Sequence, residues 1–265
     1  MAEFGLAFAR SAAIVFCYMT AWFVVGTVIR RNDIVDSAWG IGFVLLAVDA
    51  AFFANDPTWR SVLMVLLVGL WGIRLAVHVS VRNLGKSEDF RYAAWRRDWG
   101  RWFLPRMYLQ VFLVQGLFMW LISGSITVVG RAEATTLGTL DVIAIAVFAV
   151  GFLFEAIGDY QLYAFKNDPV NAGHVMSSGV WRYTRHPNYF GEVTLWWGIW
   201  LVALSVPYGA YAIISPVTVW IHRYCSTPSR MRSNIFMFVS RSAWFGNSAT
   251  ILRAKPRRDA RMKPR

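Results

Sequence analysis

Arg74 and His78 stand four residues apart inside the apolar run 60–81, with Trp71 three residues before them, so the three share one helical face. Glu155 and Asp159 repeat the same spacing at the end of the run 139–158, Glu192 opens the run 190–206, and Asp33 and Asp36 precede the run 38–54. An ionisable side chain in a bilayer is costly unless it is paired or wetted, and its presence is a functional hypothesis with a partner to be named. The spacing predicts a polar cavity in one half of a helical bundle, with carboxylates and a buried arginine converging on it. The competing reading is a salt-bridge network that only ties helices together. Tyr108 and Gln115, one heptad apart, bring polar groups from a fourth run. Asp49 and Asp141 fall outside the cluster and carry no role in this reading.

Two polar segments adjoin that cavity. The first, Arg82 to Phe103, interleaves basic side chains with Phe90, Tyr92, Trp95, Trp99 and Trp102. Arginines in such a segment can hold phosphate through paired N–H donors, or the segment can lie in the membrane interface on its tryptophans. The second, Asp159 to Gly198, gathers Lys166, Arg182, Arg185, His174, His186, Asn188, Tyr163, Tyr183 and Tyr189, with Gly173 and Gly179 at turn positions. Amide, phenol, guanidinium and imidazole groups together suit the phosphates and ribose of a nucleotide. His186 has its backbone restricted by Pro187.

These groups need apolar elements to position them. The chain has 265 residues, 57% hydrophobic and 16% charged, well below the quarter or so of charged residues in soluble domains, which excludes a soluble globule, a disordered chain and a disulfide module. Runs of about 20 apolar residues cross a bilayer, and seven segments qualify: about 11–29, 38–54, 60–81, 107–128, 139–158, 190–206 and 208–222. With the N-terminus outside, 23 of the Lys and Arg residues fall inside and three outside, which places the C-terminus in the cytoplasm. The expected fold is therefore all-α, a polytopic membrane bundle of about seven helices.

The net charge of +12 is uneven: residues 223–265 supply +10 of it and the remainder only +2. A nearly neutral body with a basic end points to anionic lipid headgroups and not to nucleic acid. The expected division is a bundle over 1–222 and a basic, disordered tail over 223–265. Cys17 and Cys225 are too far apart for a CxxC pair and are read as free thiols, so no metal site is expected. No GxGxxG opens a helix, and GxxxxGK[ST], HExxH and GxSxG are absent. A nucleotide would be held by the membrane-embedded site.

With RHPNYFGE at Arg185–Glu192, WWG at Trp196–Gly198, and Glu155, Asp159, Gln161, Phe165 and Lys166 upstream, the chain resembles the bacterial membrane proteins of the steroid 5-alpha-reductase-like superfamily. DIVDSAWG (Asp33–Gly40) and the stretch Arg74–Tyr92 are also similar, and the likeness covers roughly residues 30–216. The R-H-P-x-Y motif is shared with isoprenylcysteine carboxyl methyltransferases and sterol reductases. The resemblance implies a bacterial inner-membrane oxidoreductase that moves hydride from NADPH to a carbon–carbon double bond of a hydrophobic, lipid-like substrate. It implies that Asp159, Lys166, Arg182, Arg185, Asn188, Tyr189 and Glu192 line the cofactor, with Arg74 and Arg82 reaching it from the third span.

The chain departs from that pattern in two places. Where steroid reductases carry a tyrosine before the span-three arginine, this chain has Trp71, and where they carry a Gln-Glu pair in span two it has Asp36. Indole cannot act as the acid, which argues against a 3-oxo-steroid; Asp36 or Tyr108 is then the expected catalytic proton donor. After Ser215 and Pro216 the family's usual ending is replaced by Trp220–Arg265, as expected for an altered reading frame or a diverged end. Two other classes stay open: an S-adenosylmethionine-dependent lipid or prenylcysteine methyltransferase, and a non-enzymatic membrane protein. No internal repeat or broken helix pair points to transport.

Overall fold

The computed structural model describes residues 2–52, 57–132 and 136–225. Among these residues the chain is all-helical: α1 (Ala2–Val28), α2 (Ile34–Phe52), α3 (Trp59–Asn83), α4 (Phe90–Trp99), α5 (Phe103–Arg106), α6 (Leu113–Ile122), α7 (Gly124–Val129), α8 (Thr139–Asn167), α9 (Pro187–Leu204) and α10 (Ile214–Cys225). A π-helical stretch, Met107–Phe112, joins α5 to α6. Local chemistry sets several starts. Thr58 and Ser61 exchange bonds of 3.1 and 2.9 Å across the first turn of α3, a reciprocal cap. Asp89 caps α4 through the Arg91 N–H at 3.0 Å, and Pro187 occupies the first turn of α9, where a missing N–H costs nothing.

Among the described residues five segments are long and apolar enough to cross a membrane: Glu3–Val28, Ile34–Phe52, Trp59–Asn83, Arg91–Ile122 and Thr139–Asn167. The sequence expectation was seven. Its last two segments fold as α9, with 18 residues and a polar start at Asn188 and Glu192, and as α10, with 12 residues. Neither has both the length and the apolarity of the five. α9 nevertheless lies antiparallel beside α8 for its full length, since Pro187 meets Gly158, Leu195 meets Gly151, and Gly198 meets Ala144 and Phe148.

Apolar side chains face both ways: α3 turns Leu66, Leu70, Ile73 and Val77 outward and buries Met64, Leu67, Val68 and Leu75 together with Arg60, Ser61 and Trp71. With lipid outside, no hydrophobic gain drives helices together, so association rests on close contact. Gly40 and Gly72 supply it between α2 and α3: a Cβ on Gly40 would lie 2.3 Å from the Gly72 carbonyl oxygen. Phe43, Trp71 and Trp196 then form an edge-to-face triangle with centroids 5.1–5.5 Å apart, locking α2, α3 and α9.

Ion pairs finish the two ends. At one end Arg60 binds Asp141 with bonds of 2.9–3.2 Å and the Thr136 carbonyl at 2.9 Å, joining the starts of α3 and α8, while Arg10 pairs with Asp49 at 2.7 Å. These are the acids to which the sequence assigned nothing, and their partners lie too far along the chain to be read from spacing. The other end carries the cluster described next. The 222/223 boundary drawn from composition cuts α10, which continues to Cys225 and buries Arg223 in the bundle. The tail expectation otherwise lies outside the described residues.

Candidate functional site

The stripe read along α3 is present. Arg74 lies deepest, and His78 and Arg82 follow it to the wall of a cavity of about 720 Å³ at the end of the bundle. α8 adds Asp159, Leu162, Tyr163, Lys166 and Asn167, and the segment after α3 adds Asn83, Lys86, Ser87, Glu88 and Asp89. Asp33, from the α1–α2 junction, and Ala93, on α4, complete the lining.

Below the cavity lies a buried polar network. The Arg74 guanidinium donates through Nη1 to Asp159 at 2.7 Å and through Nη2 to Glu155. The Trp71 indole N–H donates to the other Glu155 oxygen at 3.0 Å, and the Asn188 amide donates to Asp159 at 3.2 Å. One guanidinium thus holds two acids of the α8 stripe, and α9 is tied in through Asn188. Deeper still, Glu192 pairs with Arg223 from α10, whose guanidinium sits 5.0 Å over the Tyr189 ring. Sequence reasoning missed Arg223 because basic composition grouped it with the tail; the apolar run ending beside it was the available signal.

The expected site residues therefore fall in four places. Arg82, Asp159 and Lys166 line the cavity. Arg74 and Asn188 support it from beneath, bonded to Asp159. Tyr189 and Glu192 are buried against Arg223. Arg182 and Arg185 are exposed, outside the cavity lining, on a loop pinned to α8 by bonds from Val180 N–H to Gln161 and from the Trp181 indole to the Gly158 carbonyl, both 3.0 Å. Gly179 is needed there, since its φ is +60° and a Cβ would collide with Gln161. His186, before α9, stacks on Tyr189 at 5.0 Å; burial and then Arg185 lower its pKa, which favours the neutral ring.

Neither expected proton donor reaches the Arg74 network. Tyr108 shares a hydrogen bond of 2.9 Å with Thr20 and packs at 4.8 Å on Phe23, so its partners are on α1. The π-helical turn that contains it takes more residues per turn than an α-helix, and the heptad spacing to Gln115 no longer fixes a common face. Asp36 is buried at the start of α2, with Arg91 Nη2 at 3.8 Å from one oxygen and no hydrogen-bond partner at the other.

Acids and bases also alternate where α4 meets the α1–α2 junction. Arg31 pairs with Asp33 at 3.0 Å, Arg96 with Glu88 at 3.0 Å and Arg91 with Asp89 at 2.8 Å, and the Asn32 N–H donates to Glu88 at 3.1 Å. Burial works against the Asp89 charge, but bonds from Arg91 outweigh it and hold its pKa below the usual carboxylate range. The stabilisation is complete above the unfolded pKa, about 4, and is lost as pH falls through the lower folded value. Asp89→Asn keeps the cap and removes the charge. Unfolding midpoints measured across acid pH are expected to fall less steeply for the variant; parallel curves would refute the coupling.

Among the described residues no group of His, Cys, Asp and Glu is arranged to hold a metal ion. No solved structure matches the chain. An uncharacterized protein of Schizosaccharomyces pombe is 24% identical over 213 residues, covering 68% of this chain and 61% of that protein's length, so the chain spans less than two thirds of this relative. A family model described as "Protein of unknown function (DUF1295)" matches residues 22–234, most of the chain and all of the cavity. The protein is a member of the DUF1295 family.

Proposed function

We propose that this membrane protein is an NADPH-dependent reductase acting on a carbon–carbon double bond of a hydrophobic, lipid-like substrate, with the cofactor cavity facing the cytoplasm. The observation that carries the reading is the mixed lining of the 720 Å³ cavity: Arg82, Lys86 and Lys166 beside Asp33, Glu88, Asp89 and Asp159, with the amides of Asn83 and Asn167. A phosphorylated dinucleotide presents phosphates, ribose hydroxyls and a carboxamide. Cations suit the first, carboxylates accept from the second, and side-chain amides pair with the third. The volume falls in the range of small-molecule sites. The resemblance at Arg185–Glu192 supports the same reading.

When bound, NADPH supplies the hydride. Lys166 and Arg82 would compensate its phosphates, with Lys86 between α3 and α4. Asp159 is oriented by Arg74 and Asn188 and keeps lone pairs for a further donor. Asp36, with one buried oxygen lacking a partner, is the chain's candidate to hold or hand over a proton. A second reading, S-adenosylmethionine-dependent methyl transfer, is favoured by one feature: the R-H-P-x-Y motif at Arg185–Tyr189, shared with isoprenylcysteine carboxyl methyltransferases.

Calorimetric titration of the detergent-purified protein with NADPH and with S-adenosylmethionine tests both. Saturable NADPH binding is expected, weakened roughly tenfold or more in Arg82→Ala and in Lys166→Ala, the scale of a lost charge-assisted contact. Binding of S-adenosylmethionine alone would replace the first reading with the second. Binding of neither would reject both.

A further inference from the structure

We propose that the segment Arg97–Arg106 is a binding site for anionic phospholipid headgroups, built on the outer side of the helix that walls the cavity. The basic residues between Arg82 and Arg106 divide into three groups. Arg82 and Lys86 line the cavity. Arg91 is buried and Arg96 half-exposed, and both are matched, by Asp89 and Glu88. Arg97, Arg101 and Arg106 are exposed, and among the described residues none has a carboxylate within 4.0 Å. Asp98 is the single acid from 97 to 106. Away from the cavity, Arg10 and Arg60 are instead paired with Asp49 and Asp141.

Two of the three guanidiniums lie over aromatic rings. Arg106 lies 5.9 Å from the Trp99 ring and Arg101 5.7 Å from Trp102, and Trp99 stacks on Trp95 at 5.4 Å with planes 5° apart. A guanidinium against an aromatic face keeps its N–H fork for phosphate. Beside them Trp102, Leu104 and Leu109 expose 54%, 43% and 57% of their surfaces, and Arg106 directly precedes the π-helical entry to the span. Cations next to exposed apolar side chains at a span's mouth match a charged headgroup with its acyl chains. A nucleotide or free phosphate would not use the apolar neighbours, and none of the three arginines lines the cavity. Because Ala93 on the same helix does line it, one turn before Arg97, a bound headgroup also braces the cavity wall.

The full-length protein reconstituted in phosphatidylcholine nanodiscs, with and without phosphatidylglycerol, provides the test, read as the thermal midpoint and as lipids retained in native mass spectrometry. Phosphatidylglycerol is expected to raise the wild-type midpoint. R97Q/R101Q/R106Q should lose most of that rise while matching wild type in phosphatidylcholine alone, and R97K/R101K/R106K should keep a large part of it. An undiminished rise in the glutamine variant would overturn the site, as would an equal rise from inorganic phosphate. If the triple variant unfolds in phosphatidylcholine, the single glutamine variants decide: each must retain less phosphatidylglycerol than wild type, and no loss in any refutes the proposal.

Discussion

Arg74→Ala is expected to destabilise the protein by about 3–5 kcal/mol, the range for removing one partner of a buried ion pair. The cause is the pair of acids left behind. Glu155 and Asp159 are buried, with 0% and 3% of their side chains exposed, and Arg74 is the cation bonded to both. Without it they keep only the neutral donors Trp71 and Asn188. Arg74→Lys should recover part of the loss, since an ammonium is a compact charge that cannot span two carboxylates as a planar fork does. The combination Arg74→Leu, Glu155→Gln and Asp159→Asn removes all three charges and should be far more stable than Arg74→Ala alone. On the proposed reading, NADPH titration separates structure from function, because the neutral triple variant should fold yet bind NADPH weakly. Detergent unfolding curves provide the measurement; a cost for Arg74→Ala under about 1 kcal/mol, the level of an ordinary substitution, would show that the three groups do not act as one unit.

Gly191→Ala should cost about 1–3 kcal/mol and Gly191→Val more, the scale of overpacking a closed interface. A Cβ on Gly191 would sit 2.4 Å from the Glu155 amide nitrogen and 2.6 Å from the Gly151 carbonyl oxygen, both backbone atoms that cannot rotate away. The helices must separate instead. That separation pulls on the 3.2 Å Asn188–Asp159 bond, so on the proposed reading NADPH binding should weaken along with stability. Gly69→Ala is the control, because no atom lies within 4 Å of the added methyl group and alanine favours a helix by up to about 1 kcal/mol. Unfolding and NADPH titration of the three variants check this, and a tolerated Gly191→Val would mean that α8 and α9 are not in close contact there.

The parts of the site legible in the sequence were those written within single helices. Arg74 and His78 on α3, and Glu155 and Asp159 on α8, share faces because 3.6 residues make a turn, while Arg82 and Lys166, read as members of the polar segments, prove to continue those helices to the cavity. Apolar run length marked five segments long and apolar enough to cross a membrane, since a bilayer sets the length that a helix must reach, although the fourth run, 107–128, breaks at Ser123 and its segment reaches back to Arg91. The sixth and seventh runs were less legible. The polar start at Glu192 was visible, but that the runs end as helices of 18 and 12 residues packed on α8 and α6 appears only in the folded bundle.

What spacing alone could not supply was the choice of partner. Arg223 with Glu192, Arg60 with Asp141, and Asp36 with Arg91 join residues from 31 to 81 positions apart, and only the helix order decides which charges meet. Tyr108 shows the reverse case, where a π-helical turn sent a residue of suitable chemistry toward Thr20. The sequence by itself determined a membrane bundle, the two acid-and-arginine stripes and the end of the bundle where they gather, since helical periodicity and bilayer thickness act locally. The tertiary structure decided which arginines are paired with acids and which stay exposed. It also decided that the cavity is walled by acids as much as by bases, because pairing energy in a low-dielectric interior depends on distances that form only when the helices dock.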